Sequence, residues 1–64
     1  MITYSIVRGN GRGLIGSVLC ADGSWQKWET AVDPRSFQHY RDALALCDMI
    51  GNGAYVIDVA PEHE

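Results

Sequence analysis

The residues of this chain best suited to chemistry are two cysteines and two histidines: Cys20, Cys47, His39 and His63. Thiolates and imidazoles bind zinc, but a zinc site needs more ligands than these, set in tight pairs. The sequence contains neither a C-x-x-C nor an H-x-x-x-H pair. We therefore expect no metal and no cofactor. The N-terminus lacks a basic segment followed by an apolar core, so we expect reduced, buried thiols rather than a disulfide.

Catalysis needs more than single reactive residues. Covalent catalysis requires a nucleophile, a base and a group that orients the base, and the serines, cysteines and histidines here fall into no local signature of that kind. Asp42 and Asp48 stand six residues apart on a predicted helix, which does not pair their carboxylates. A chain of 64 residues also has little room for an enclosed ligand pocket. We predict that the protein is not an enzyme.

A glycine-rich stretch is the most suggestive motif. Residues 11–18, G-R-G-L-I-G-S-V, fit the pattern G-x-G-x-x-G-x-V and resemble the glycine-rich loop of protein kinases. The resemblance implies a loop that covers nucleotide phosphates, but it spans eight residues, and the chain has no H-R-D or D-F-G motif. Two interpretations stay open: a phosphate or nucleotide site built from backbone amides between Gly9 and Gly16, and a plain glycine turn, which we favour.

Charge and composition limit the class of protein. The net charge is −3, and it is uneven, because residues 1–32 sum to +1 and residues 33–64 to −4. An acidic domain gains little from counterion release, which disfavours nucleic acid as a partner. With 47% hydrophobic residues and no apolar run of membrane-spanning length, the sequence predicts one globular cytoplasmic domain over 1–64 with no membrane contact. Residues 61–64 are expected to form a frayed acidic tail.

The first half of the chain predicts three strands. Alternation of side chains is typical of a half-buried strand over 2–7, and a second apolar run covers 14–20, where Gly16 favours a bulge. The Asp22-Gly23 dipeptide is a strong hairpin signal, so a third strand should start at Trp25. On a straight strand the tryptophan three residues later should lie on the opposite face, with one ring in the core and the other partly exposed. A bulge, or a strand that ends near Lys27, would instead put both rings on the same side.

The second half predicts a helix followed by a strand. Asp33 is expected to cap the helix and Pro34 to occupy its first position, with an apolar face running over 37–50. Residues 51–53, Gly-Asn-Gly, should end it. The run over 54–59 is apolar apart from one aspartate, which favours an internal strand beside the first strand and parallel to it.

These elements predict an α+β fold of order β-β-β-α-β, an antiparallel meander of three strands plus a C-terminal strand, with one helix on one face of the sheet. The other face would stay open to a partner. Tryptophan, tyrosine and arginine are enriched at binding hot spots, and small domains also use aromatic side chains as core. The candidate contact residues are Tyr4, Arg8, Arg12, Trp25, Lys27, Trp28 and Tyr55.

The sequence therefore predicts a small noncatalytic interaction module that binds another protein, or itself as a homodimer, through the open sheet face. Such a module would be an accessory or inhibitor-like protein, and the compactness of the chain suits one encoded by a phage or mobile element. The alternatives are binding of single-stranded nucleic acid by exposed aromatic and basic side chains, and phosphate or nucleotide binding by the glycine loop.

Overall fold

The computed structural model describes residues 2–59, which form four strands and one helix. In chain order these are β1 (Thr3–Gly9), β2 (Ile15–Leu19), β3 (Trp25–Lys27), α1 (Tyr40–Ile50) and β4 (Ala54–Val59). The strands form one antiparallel sheet of order β3-β2-β1-β4, with α1 packed on one face. The predicted α+β fold is thus confirmed. The predicted tail over 61–64 lies outside the described residues. The helix of this described part of the chain, α1, has 11 residues and is too short to span a membrane.

The two faces of the sheet carry separate buried clusters, because successive strand residues point to opposite sides. We call the side under α1 the helix-side face and the other the helix-free face. The buried cluster on the helix-side face consists of Ile6, Leu19, Ala43 and Cys47. The buried cluster on the helix-free face consists of Val7, Val18 and Cys20. A domain of this size therefore buries apolar side chains on both sides of a single sheet.

The position of β4 corrects two predictions. It lies beside β1 as expected, but it runs antiparallel to β1 and forms an edge of the sheet instead of an internal strand. The reason lies in α1, which begins near the start of β1, where the rings of Tyr40 and Tyr4 pack 5.6 Å apart. The turn over 51–53 at the far end then reverses the chain, so β4 returns against the direction of β1.

The start of the helix was also predicted wrongly. Asp33 adopts φ 61° and does not cap the helix, which begins at Tyr40 with His39 as its N-cap residue. Phe37, predicted to be helical, exchanges two backbone hydrogen bonds with Tyr4, each 2.9 Å long. These tertiary hydrogen bonds hold residues 34–37 in an extended conformation, whereas the local capping signals would favour a helical turn.

The segment over 33–37 occupies the space where β1 and β2 separate. On one side Arg35 donates its N–H to the carbonyl oxygen of Leu19 at 3.0 Å. On the other side Phe37 bonds to β1. The chain thereby passes from the helix-free face to the helix-side face within the plane of the sheet, and the backbone groups at the diverging strand ends find partners.

The predicted bulge is confirmed at Gly16. The register of β1 against β2 shifts between Arg8 and Gly9, which leaves Gly16 as an extra residue in β2. A Cβ atom at Gly16 would lie 3.0 Å from the Cβ of Asn10 and 3.2 Å from its Cα, so only glycine fits without a local shift.

Candidate functional site

The centre of the helix-free face is covered by the chain itself. Val7 and Val18 have no exposed surface and Cys20 is 1% exposed, although α1 packs on the other face of the sheet. Ala31, from the segment that follows β3, packs against these three side chains. The expectation of a bare sheet face is therefore wrong at its centre.

Hydrogen bonds tie this covering segment to the sheet: Trp28 donates its N–H to the carbonyl oxygen of Gly16 at 3.1 Å, and a side chain of β3 holds the segment farther along. Gln26 pairs with Val18 across β3 and β2, which places its side chain on the helix-free face. Its Oε1 accepts a hydrogen bond from the backbone N–H of Val32 at 3.1 Å. Residues 28–33 thus form a strap across part of the face, and we call them the strap.

Exposed apolar side chains surround the covered centre. Tyr55 pairs with Val7 and so belongs to the helix-free face, where 41% of its surface is exposed. Trp28 and Val32 belong to the strap and are exposed, and Leu14, which precedes β2, lines a depression together with Trp28. We call this set the helix-free rim: Leu14, Trp28, Val32 and Tyr55.

Two rim residues, Leu14 and Trp28, line an open depression. This depression of about 440 Å³ is lined by Gly13, Leu14, Ile15, Trp28 and Glu29. Its walls combine an indole ring and aliphatic side chains with one carboxylate. This chemistry suits a side chain with an apolar stem and a positive end.

The helix-side face carries a second group of predicted residues. The guanidinium carbon of Arg8 lies 4.5 Å from the centroid of the Trp25 ring, a cation–π contact. Ser17 pairs with both Arg8 and Lys27, so the two basic residues share one row across three strands. The Nε atom of Arg8 is buried and has no hydrogen-bond partner within the described residues. The positive charge of the sheet is therefore concentrated on this side.

The structure separates the seven residues predicted to share one contact surface. Tyr4 packs edge-on against Tyr40 and against the helix-side cluster, so it serves the core. The two tryptophans lie on opposite faces, as their spacing predicted. The helix-side face holds Tyr4, Arg8, Trp25 and Lys27, the helix-free face holds Trp28 and Tyr55, and Arg12 is exposed in the loop before β2.

Sequence reasoning did not identify two rim residues, Leu14 and Val32, which are 65% and 74% exposed. The sequence predicts Leu14 in the second strand, whereas β2 starts one residue later. Val32 lies between a predicted strand and a predicted helix, where nothing in the alternation of apolar residues indicates a face. The one available signal was that each of them is a large apolar residue next to turn-forming residues, a position that favours exposure.

Backbone amides of the glycine loop donate hydrogen bonds within the loop itself. The side-chain Oδ1 of Asn10 accepts hydrogen bonds from the N–H groups of Arg12 and Leu14, at 2.7 and 3.4 Å. Gly11 and Gly13 adopt φ of 85° and 80°, which is the conformational freedom that this turn needs. Because Asn10 already engages these amides, the loop has fewer donors left to cradle a phosphate.

Both cysteines are buried and free, as predicted. Burial raises the pKa of the Cys20 thiol, with added contributions from Asp22 and Asp33, and burial together with Asp48 raises the pKa of the Cys47 thiol. Raised values favour the unreactive neutral thiol. Within residues 2–59, no three His, Cys, Asp or Glu side chains are arranged to hold a metal ion.

Comparisons with models of protein families, with curated proteins and with solved structures found no match for this chain.

Proposed function

We propose that this chain is a noncatalytic interaction module that binds another protein through the helix-free rim. One observation carries the proposal: beside a centre that is fully buried, Tyr55 stays exposed on the same face, Trp28 and Val32 stay exposed in the strap, and Leu14 lines a depression with Trp28. Two of them, Trp28 and Tyr55, are of the types most enriched at binding hot spots. Exposed apolar residues grouped on one face are typical of protein-binding surfaces.

The rim also favours a partner of particular chemistry. Val7 and Val18 beneath it are packed without exposure, so the rim sits on a firm base that loses little conformational freedom on binding. Glu29 lines the open depression together with Trp28. We therefore infer a partner surface with an apolar patch and an arginine or lysine, whose stem would contact the indole while its charge faces the carboxylate.

Such binding fits an accessory or inhibitor-like role, in which a small domain acts by occupying the surface of a larger protein. The size of the chain is compatible with a protein of a phage or mobile element. Cys20 and Cys47 are both free, which supports the proposal that the protein acts in a reducing compartment such as the cytoplasm.

Capture with matched variants tests the proposal. The native chain and three variants, Trp28→Ala, Tyr55→Ala and Met49→Ala, are used as baits in a lysate of the host, and captured proteins are purified for titration. Met49 is 82% exposed on α1 and serves as the control. We expect affinity to fall about tenfold or more for the two rim variants and to stay unchanged for Met49→Ala. Loss of binding with Met49→Ala and retention with both rim variants would contradict the proposal.

The alternative of single-stranded nucleic-acid binding has one observation in its favour, the row of Arg8 and Lys27 beside Trp25. It has one against it, because the Arg8 guanidinium already covers a face of the Trp25 ring on which a base would stack. Titration with oligothymidylate at low salt separates the two functions. Salt-dependent quenching of tryptophan fluorescence, abolished by Lys27→Ala, would favour the alternative over the rim.

A further inference from the structure

We infer that two copies of this chain pair along β4, edge to edge, to form one continuous eight-stranded sheet. Within residues 2–59, β1 is the only strand beside β4, so the outer edge of this six-residue strand has no strand neighbour. Its sequence, A-Y-V-I-D-V, contains no proline or lysine and only one charge. Proline, lysine and other charged residues are the ones that commonly keep an edge strand from pairing with another strand.

The hydrogen-bond pattern shows which backbone groups face outward. Tyr4 directs both its N–H and its carbonyl to Phe37, away from β4, so its pair with Asp58 is a pair without hydrogen bonds. Asp58 therefore points its own backbone groups away from β1. Because the pattern alternates along the strand, Val56 does the same. Ala54 also faces outward, but its N–H donates to the carbonyl oxygen of Gly51 at 3.1 Å. Val56 and Asp58 are therefore the residues of β4 that offer both a donor and an acceptor at the free edge.

A two-fold axis through Ile57, perpendicular to the sheet, satisfies all of these groups. Val56 of each copy then lies opposite Asp58 of the other, and each such pair exchanges two hydrogen bonds. The Ile57 side chains meet across the axis on the helix-free face, flanked by Tyr55 and Val59 from both copies. Each Asp58 faces a valine, so no like charges are directly opposed. This isologous register makes a second copy the best fit to the edge.

The helices are compatible with this arrangement. The backbone of α1 lies closest to β4 and β1, while Leu19 of β2 reaches it only through its side chain, so the helix lies toward the β4 edge. With strands about 4.8 Å apart, a helix above the line between β1 and β4 would lie about 10 Å from its symmetry mate, the usual distance for packed helices. The other edge of the sheet differs, because β3 has three residues and includes Lys27. Pairing along β4 also adds buried area to a domain with a small core.

The inference does not depend on the proposed function, because it rests on the backbone edge of β4, although Tyr55 of the rim lies beside that edge. It is tested with chains made by peptide ligation that carry one N-methyl group, either on the amide of Val56 or on that of Lys27. The Lys27 amide also points outward, because its pair with Ser17 is a pair without hydrogen bonds. Neither methyl group interrupts the sheet within one copy, so the two variants are matched.

Sedimentation equilibrium of the native chain from micromolar to millimolar concentration should reveal a particle of twice the 7.1 kDa chain mass. Methylation at Val56 should raise the dimer dissociation constant about tenfold or more, whereas methylation at Lys27 should leave it unchanged. A native chain that stays monomeric overturns the inference. So does a dimer indifferent to both methyl groups, which would form through another surface.

Amide hydrogen exchange of the unmodified chain gives a second readout that needs no variant. Exchange of the Val56 and Asp58 amides should slow as the concentration rises, while exchange at Lys27 should not change. Equal, concentration-independent exchange at all three amides would overturn the inference, even if a variant failed to fold.

Discussion

Cys20 and Cys47 are both buried, but they lie on opposite faces of the sheet. Cys20 packs with Val7 and Val18 on the helix-free face, whereas Cys47 packs with Ala43 and Ile6 under α1. The sheet between them prevents a disulfide, since the two sulfur atoms cannot approach bonding distance without unfolding. Each thiol therefore reports on the packing of one face.

We expect both thiols to be protected in the folded chain. A thiol-reactive aromatic disulfide should label neither Cys20 nor Cys47 in native buffer over minutes, and should label both once urea unfolds the chain. Absorbance of the released thiolate measures the labelling. Fast labelling of either cysteine in native buffer would mean that the corresponding cluster is open.

Burial of the thiols also predicts lability in alkali. Burial raises the pKa of both Cys20 and Cys47 above the ordinary 9.0, so the folded chain disfavours the thiolate. In the unfolded chain the thiols ionise first as the pH rises. The stabilisation is thus fully present below pH 9.0 and declines above it. Urea unfolding at pH 8 and pH 10 should show this decline, and the decline should shrink in Cys20→Ala.

The bulge predicts unequal effects of two glycine substitutions. Gly16→Ala should destabilise the chain by about 1–3 kcal/mol, because the new Cβ meets the backbone and Cβ of Asn10. Gly9→Ala is the matched control, since its nearest contact is 3.7 Å away. Urea unfolding followed by tryptophan fluorescence compares the two free energies of unfolding. Equal costs would show that the bulge does not bring Asn10 close to β2.

Asp33 marks the point where the strap enters the plane of the sheet. Its φ of 61° is unfavourable for a residue with a Cβ atom, and more so before a proline. We expect Asp33→Gly to leave stability unchanged or raise it, and Asp33→Val to lower it by about 1–2 kcal/mol. The same unfolding assay measures both. If Asp33 were instead the helix cap that its sequence suggests, Asp33→Gly would lose only a few tenths of a kcal/mol and Asp33→Val would lose helix content.

The turn between β2 and β3 contains a hydrogen-bonded carboxylate, Asp22, whose contribution to stability should be lost in acid. The hydroxyl and the N–H of Ser24 both donate to Asp22, and they lower the pKa of its carboxyl below the ordinary 3.8. The stabilisation is therefore present above about pH 3.8 and is lost as the pH falls through the lower folded value. Ser24→Ala should reduce this pH dependence, and Asp22→Asn should remove it. Unfolding in urea between pH 6 and pH 2 measures it, and identical profiles for all three chains would contradict the assignment.

Sequence signals correctly predicted the parts of the fold whose conformation depends only on neighbouring residues. Residues 51–53 end the helix as predicted because each adopts a positive φ, as glycine and asparagine allow. The helix start was not predictable in this way, since Phe37 is held by Tyr4, far away in the chain. The antiparallel direction of β4 likewise depends on where the helix begins on the sheet.

The candidate site was predictable only in part. Alternation along β1 places Arg8 on the same side as Ile6, so the position of Arg8 on the helix-side face could have been read from the sequence. The position of the strap could not be predicted from the sequence, because Ala31 and Val32 belong to no periodic segment. Their position depends on one hydrogen bond to Gln26 and on packing against strands that are distant in sequence.

The most direct test of the proposed function is a map of the contact surface by NMR. A ¹⁵N-labelled chain is titrated with the purified protein that it captures, and backbone and indole signals are followed. We predict that shifts and broadening concentrate at Leu14, Trp28, Val32 and Tyr55, with the Trp28 indole N–H the most affected. Perturbations confined to α1, or to Arg8, Trp25 and Lys27, would contradict binding through the helix-free rim.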